Sequence, residues 1–405
     1  MGKSVLWINA ELYTPWLHVT KGKMLVGADG RIKAIGGPEL DVSDAHDGRA
    51  EHGEEVEVRD LAGAMLLPGF VDVHVHGGGG YSAMLGNDGV AGLSRYHAQF
   101  GTTSFLASTL CDYRHKLLGA LQSWRQTADQ GLLGTQGAEL VGFHIEGPFL
   151  NPIQAGAFNP AFIVKPDLNL MKQYLDAAGG WTRLVTLAPE LPGADEIITY
   201  LASRGIRVSA GHTDATFKQM ERAVQLGVSH MTHHFNGMRE MSDADPGAVG
   251  AGLMLPELTL EMIVDGYHIP PEVIKETFAS KSADRISLIT DAMLCAGCED
   301  GIYEASEIKF RMMSGKVMLV DGSSLAGSSL NMLLALRNAL QITELPLEEV
   351  LPSLTSVPAR EAGVAHRKGQ LKPGYDADFI ILNAEWELQS TFVRGIEVYS
   401  KPLEN

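Results

Sequence analysis

Residues 66–77 read Leu-Leu-Pro-Gly-Phe-Val-Asp-Val-His-Val-His-Gly, and how they fold decides how the chain folds. The run is apolar almost throughout until it reaches Asp72-Val-His74-Val-His76. Strands that are apolar on every residue are those covered on both faces. Residues two apart on a strand point the same way, so His74 and His76 can aim at one point. The same texture returns in TTSFLAST (102–109), AELVGFHI (138–145), TRLVTLAP (182–189), IRVSAG (206–211), VSHMTHH (228–234), LEMIVD (260–265) and ISLITDA (286–292). Each run precedes a stretch able to hold a helix, such as 218–227 after the fifth and 271–280 after the seventh. Eight such units within about 290 residues predict an α/β fold, the (β/α)8 TIM barrel. The alternative on this pattern is an open, doubly wound sheet.

Outside this region the rhythm differs. Short apolar runs broken by Gly-Ala-Asp-Gly and Gly-Gly turns fill the first 60 or so residues, and FIILN and TFVRGIEVYS repeat that texture near the other end. Neither end supplies enough strands to bury a face alone. The division expected is therefore a small β-domain from 1–62 plus 361–405 and a barrel from 63–360. The polar run at 43–58 reads as a solvated loop.

Composition narrows the function. Of 405 residues 45% are hydrophobic and 20% charged, a well-cored globule. A balance of 49 acidic against 32 basic residues leaves −17, which argues against nucleic acid or an anionic membrane surface as partner. An anionic small substrate would need a local positive site. Three cysteines cannot form a disulfide framework in a chain of this size, so a reducing, cytoplasmic compartment is expected. The opening residues read as a strand rather than a signal peptide, and no apolar stretch is long enough to span a bilayer.

Chemistry gathers where the strands end. The third ends in His144-Ile-Glu146, the fifth in Gly211-His212, the sixth in His233-His234, the seventh in Asp265-Gly-Tyr-His268 and the eighth in Thr290-Asp291. In a barrel these ends share one mouth. Imidazoles with one or two carboxylates suit Zn²⁺ or another divalent first-row ion, Fe²⁺ among them. His18, His97 and His115 read as core or loop histidines. Of His233 and His234, on opposite strand faces, one reads as a ligand and the other as packing. Cys295-Ala-Gly-Cys298 lacks the second pair that a zinc site needs, and Gly77-Gly-Gly-Gly80 lacks the Lys-Ser/Thr of a phosphate loop.

PGFVDVHVHG (68–77), HIEGPF (144–149), LAPE (187–190), SAGHT (209–213), THHFNGM (232–238), DGYHI (265–269), LITDAM (288–293), LAGS (325–328) and GYDADFIIL (374–382) stand in an order and spacing that resemble the N-acetylglucosamine-6-phosphate deacetylases of the amidohydrolase superfamily. The resemblance covers essentially the whole chain. It implies a TIM barrel with a small β-sandwich built from both chain ends. It implies Glu146, His212 and His233 as ligands of the principal metal, with His74 and His76 able to help hold a second, so one or two ions. It implies Asp291 as the catalytic acid/base, and His268, Asn236, Gly237, Ala326 and Gly327 as substrate contacts. It also implies a homodimer. The fourth strand's end, Leu187-Ala-Pro-Glu190, lacks the metal-bridging lysine of hydantoinase-like relatives, which leaves Glu146 as the bridging ligand.

The expected reaction is hydrolysis of the N-acetyl amide of an amino sugar, N-acetylglucosamine 6-phosphate or a close relative. Two departures from the family pattern bear on the phosphate. Ala244 stands where members carry a phosphate-gripping arginine, with Arg239 or Lys165 as candidate replacements, and Phe158 stands where they carry a polar histidine. An unphosphorylated or differently substituted N-acyl amine is therefore the alternative substrate. A cyclic amidase or deaminase, and a non-enzymatic relative, are disfavoured by HIEGPF and by the intact ligand set.

Overall fold

The computed structural model describes residues 3–15, 17–41, 56–131 and 133–402. Eight parallel strands form one curled sheet, in the order Ile286–Leu288, Thr259–Met262, Val228–Met231, Arg207–Ala210, Thr182–Leu187, Glu139–Glu146, Thr102–Ser108 and Phe70–Val75. The two outer members are stitched together just beyond the last strand. Asp291 N donates to His74 O (2.9 Å), His76 N donates to Ala292 O (3.0 Å), and the Thr290 hydroxyl donates to the Asp72 carboxylate (2.5 Å). The architecture is the expected (β/α)8 barrel.

A helix follows each strand, from Asn87–Ala98 after the first to Met332–Thr343 after the eighth. Local chemistry sets their ends. Thr216 and Gln219 form a reciprocal capping box at the start of Phe217–Leu226, and Asp167 accepts from Asn169 N and Leu170 N at the start of Leu168–Ala178. Apolar side chains fill both sides of the sheet. Val71, Val73, Leu106, Val141, Leu184, Ile263 and Ile289 pack in one cluster within it, while the helices cover a larger one.

Strands from both chain ends make a second sheet, in the order Ile396–Ser400, Leu388–Val393, Phe379–Leu382, Met65–Pro68, Ser4–Thr14, Leu17–Val26 and Ile32–Gly36, with Val56–Asp60 paired to Ser4–Thr14. It wraps a core in which Phe379 stacks on Phe392 (4.4 Å between centroids) and Trp7 meets both edge-on. This is the β-sandwich expected from the chain ends.

Two features differ from the sequence reading. The run 66–75 is not one strand. Met65–Pro68 pairs with Phe379–Leu382 in the end sheet, and Phe70–Val75 alone enters the barrel. Gly69 makes the crossing, where a Cβ would sit 2.1 Å from the Thr103 side chain. Second, Gly301–Ala305, Ile308–Met313 and Lys316–Leu319 form a separate antiparallel sheet after the eighth strand, where no element was expected. Of the polar run at 43–58, read as a solvated loop, residues 43–55 lie outside the described residues, and 56–58 instead open the strand Val56–Asp60, held by its pairing with Ser4–Thr14. No helix among the described residues is long and apolar enough to cross a membrane.

Candidate metal centre and substrate pocket

The five histidine and glutamate candidates and Asp291 converge at the carboxyl ends of the barrel strands. Glu146 sits at the centre. Its Oε1 lies 3.2 Å from both His212 Nε2 and His233 Nε2, which are 3.1 Å from each other. Its Oε2 lies 3.3 Å from His74 Nε2 and 3.2 Å from His76 Nε2. Asp291 Oδ1 closes the second group, 3.1 Å from His76 Nε2. Glu146 with His212 and His233, and His74 with His76 and Asp291, are two buried sets able to hold a cation, with Glu146 facing both.

Backbone conformation turns three of these side chains inward. His212, His233 and Asp291 each follow a strand end and adopt left-handed φ values of 45°, 31° and 48°. Non-glycine residues pay for that region, and such strain clusters at functional sites.

The outer ring nitrogens fix which nitrogen faces the centre. His212 Nδ1 donates to Gln154 O (2.8 Å) and His233 Nδ1 to Asn236 O (3.0 Å), while His74 Nδ1 meets Glu261 Oε2 at 3.0 Å. Each leaves its Nε2 lone pair directed at Glu146, the arrangement of metal-ligating imidazoles. Two such lone pairs 3.1 Å apart repel unless a proton or cation lies between them. Glu146 Oε2 is buried with no hydrogen-bond partner. Donor set and orphaned oxygen together fit a divalent ion. Burial alone would push the Glu146 carboxyl up; positive charge at His74, His212 and His233, or a cation held between them, outweighs it and holds it well below the usual range. Asp291 is likewise held down against burial by His74 and His76.

Other expected residues fall elsewhere. His144 lies outside both sets, with Nδ1 on the Ser108 hydroxyl (3.0 Å) and Nε2 on the Thr186 hydroxyl (2.8 Å). His234 is fully buried against Phe235 and Gly252, and burial pushes its pKa down to about 3. His97 Nε2 donates to Gly77 O (2.9 Å), His18 pairs with Glu11, and His115 stacks on Tyr113. Neither Cys295 nor Cys298 joins a metal-capable group among the described residues. The Glu190 carboxylate faces Asn151, Thr213 and the Asp214 amide, anchoring the loop beside His212.

A pocket opens over the two sets, and His268, Asn236, Gly237, Ala326 and Gly327 all line it. Its remaining wall is apolar, with Leu110, Phe158, Met293, Ile308 and Leu325. Phe158 packs on the His212 ring at 4.9 Å between centroids. Arg239, Lys165 and Ala244 do not line the pocket: Lys165 and Ala244 are exposed, and the Arg239 guanidinium meets Asp214 at 2.8 Å and Asp245 at 3.4 Å.

Glu261 escaped the sequence reading. Fully buried in the seventh strand, it holds His74 Nδ1, the His233 amide (3.1 Å) and His230 Nε2 (2.9 Å) at once. A carboxylate inside an apolar strand was the available signal. Ile308 was also missed, because nothing in its alternating strand says what that strand covers.

The chain is similar to known proteins over most of its length. Residues 65–398 match the amidohydrolase family. The chain is 37% identical to the N-acetylglucosamine-6-phosphate deacetylase of Lysinibacillus sphaericus over 85% of its length and 88% of the relative's. It is 35% identical to that of Bacillus subtilis, over 84% and 86%. Among solved structures it resembles a variant of N-acetyl-D-glucosamine-6-phosphate deacetylase from Mycobacterium smegmatis in complex with N-acetyl-D-glucosamine-6-phosphate, with a TM-score of 0.89, 29% identity and coverage of 98% and 100%.

Proposed function

The chain belongs to the amidohydrolase family and, within it, to the N-acetylglucosamine-6-phosphate deacetylases, and from that premise we propose that it is a metal-dependent deacetylase. It hydrolyses the N-acetyl amide of an amino sugar, N-acetylglucosamine 6-phosphate or a close relative, to the free amine and acetate. The observation that carries this reading is the Glu146 carboxylate, with one oxygen 3.2 Å from two imidazoles and the other facing His74 and His76 beside Asp291.

Glu146, His212 and His233 would hold the principal ion, Zn²⁺ in the first place, and His74 and His76 a second. A divalent ion bound there supplies a water acidified toward neutral pH and an electrophile for the amide oxygen. Asp291, kept ionised by its imidazole neighbours, accepts the proton of the attacking water. It then returns that proton to the leaving nitrogen, which cannot depart as an anion. The His268 ring is fixed through Nδ1 by Asp265 at 2.7 Å, leaving Nε2 as the nitrogen able to meet the oxyanion. Asn236 and Gly237 orient the sugar, and the backbone at Ala326 and Gly327 forms the facing wall.

In this reading the catalytic body is 63–360, less the Met65–Pro68 strand taken by the end sheet, and 1–62 with 361–405 is its scaffold. A reducing, cytoplasmic setting, supported by three free cysteines, completes it, together with a homodimer that rests on the family resemblance alone. The test is acetate release from N-acetylglucosamine and its 6-phosphate before and after chelation. Activity lost on chelation and restored by added metal is the expected result. Turnover that survives complete metal removal overturns the proposal.

A further inference from the structure

Behind the cage, the barrel interior holds a thread of charged groups that touches neither the pocket nor the principal ion's ligand side chains. Glu261 Oε1 accepts from His230 Nε2 (2.9 Å), and His230 Nδ1 lies 3.4 Å from Glu361 Oε2. Glu361 is in turn held by Arg207 and Arg360, at 2.9 Å each. His74, Glu261 and His230 are fully buried and Glu361 nearly so, whereas both arginines are partly exposed. Arg207 opens the fifth barrel strand, and Thr259, whose hydroxyl donates to Glu361 (3.2 Å), opens the seventh. The thread therefore climbs from the amino-terminal end of the strands to the ring of His74 near their carboxyl ends. Resting on the metal-dependent reading above, we propose that His230 and Glu361 are positioning residues for the second ion. Acting through Glu261, they confine the His74 proton to Nδ1 and keep Nε2 open for a divalent cation beside His76.

Stability alone does not account for such a thread, because well-packed apolar groups usually serve a buried core as well as ion pairs do. Its chemistry does account for it. An imidazole between two carboxylates donates from both nitrogens. Burial alone would push the His230 pKa down, and Glu261 and Glu361 outweigh it and hold it above the ordinary value. With Oε1 occupied in this way, Glu261 keeps Oε2 for His74 Nδ1 (3.0 Å) and the His233 amide (3.1 Å). Without His230, Oε1 would be buried with no donor, a costly state that a rotated carboxylate relieves by leaving His74. The principal ion's imidazoles do not depend on Glu261 in this way. His233 Nδ1 has its own acceptor in Asn236 O, and His212 Nδ1 has one in Gln154 O. The thread bears on the set of His74, His76 and Asp291.

The experiment titrates Zn²⁺ into the metal-free full chain in competition with a chelating dye, for the wild type, His230→Leu and His230→Gln. Acetate release and metal-free thermal unfolding are read alongside. The wild type is expected to bind two ions. His230→Leu is apolar and offers no donor, so its second ion is expected to bind about 10–100-fold more weakly, with the first unchanged. His230→Gln places an amide nitrogen near the position of Nε2 and is expected to hold the second ion at least about tenfold more tightly than His230→Leu. Wild-type affinity for both ions in His230→Leu overturns the proposal, as does equal weakening of both, or a His230→Gln no tighter than His230→Leu. A wild type that takes up one ion only also overturns it, and acetate released by that one-ion enzyme leaves the deacetylase reading standing. If His230→Leu does not fold, Glu361→Gln decides. It removes the charge facing His230 Nδ1, and an unweakened second ion there overturns the proposal.

Discussion

Asp291 and Glu146 carry different burdens, and single substitutions separate them. Asp291 holds a left-handed backbone at φ 48°, a conformation that asparagine tolerates better than most residues. Asp291→Asn therefore keeps the backbone and the side-chain shape and removes only the proton acceptor. Turnover is expected to fall about 10²–10⁴-fold with metal content near normal. Wild-type turnover in this variant would take Asp291 out of the mechanism. Among the described residues Glu146 is the one carboxylate that faces both imidazole pairs, so Glu146→Ala is expected to strip metal as well as activity. Elemental analysis decides that point, and unchanged metal content would break the ligand assignment.

At the scale of elements, most of the barrel and most of the candidate site were legible in the sequence, for one physical reason. Parallel strands covered on both faces must be apolar along their whole length, so the polar residues at their ends stand out. That is how the strand ends carrying Glu146, His212, His233 and Asp291 stood out before any contact was known, and the resemblance to the deacetylases singled these four out from neighbours such as His144 and His234. The same rule hides what lies across a boundary. The apolar run 66–75 continues from the end sheet into the barrel without a break in hydropathy, and only Pro68-Gly69 marks the crossing. The three-stranded insertion alternates buried and exposed residues like any surface hairpin, and its place over the pocket depends on contacts with distant residues such as Leu110. Glu261 was missed likewise, because its partners His74 and His230 lie 187 and 31 residues away. Its position makes it a test of how strands orient ligands. Glu261→Ala frees His74 Nδ1 and leaves His230 without its acceptor. Metal affinity is expected to drop about 10–100-fold. A titration with wild-type metal affinity would show that the His74 ring needs no such support.

At the scale of the whole molecule, the barrel and the end sheet share an apolar seam, in which Leu67, Ile380 and Leu382 pack with Phe70, Met262 and Leu288, and a buried ionic cluster also joins them. Glu139, at the start of the third barrel strand, pairs with Arg367 (2.7 Å) and with fully buried Lys368 (2.9 Å). Lys368 also reaches Asp376 (3.2 Å) and Asp378 (2.5 Å), which precede the end-sheet strand Phe379–Leu382. Burial alone would raise the Glu139 pKa, but Lys368 and Arg367 outweigh it and hold the group at about 2, against 4.5 ordinarily. A depressed carboxyl stabilises the fold fully above its unfolded pKa, and that share is lost as pH falls through the folded one. The window is therefore from about 4.5 down to about 2, and the full span is worth roughly 3 kcal/mol. Asp378, raised by burial and by the Glu139 charge beside it, runs the other way. Glu139→Gln is expected to lower the unfolding free energy at pH 7 by about 2–4 kcal/mol, since it leaves a buried lysine short of one partner. Because only the wild type then loses stability through protonation at this position, the gap between the two proteins should narrow between pH 6 and pH 3. Guanidinium unfolding at several pH values measures that gap directly. A gap that stays constant down to pH 3 would show that the ionised Glu139 does not hold the barrel to the end sheet.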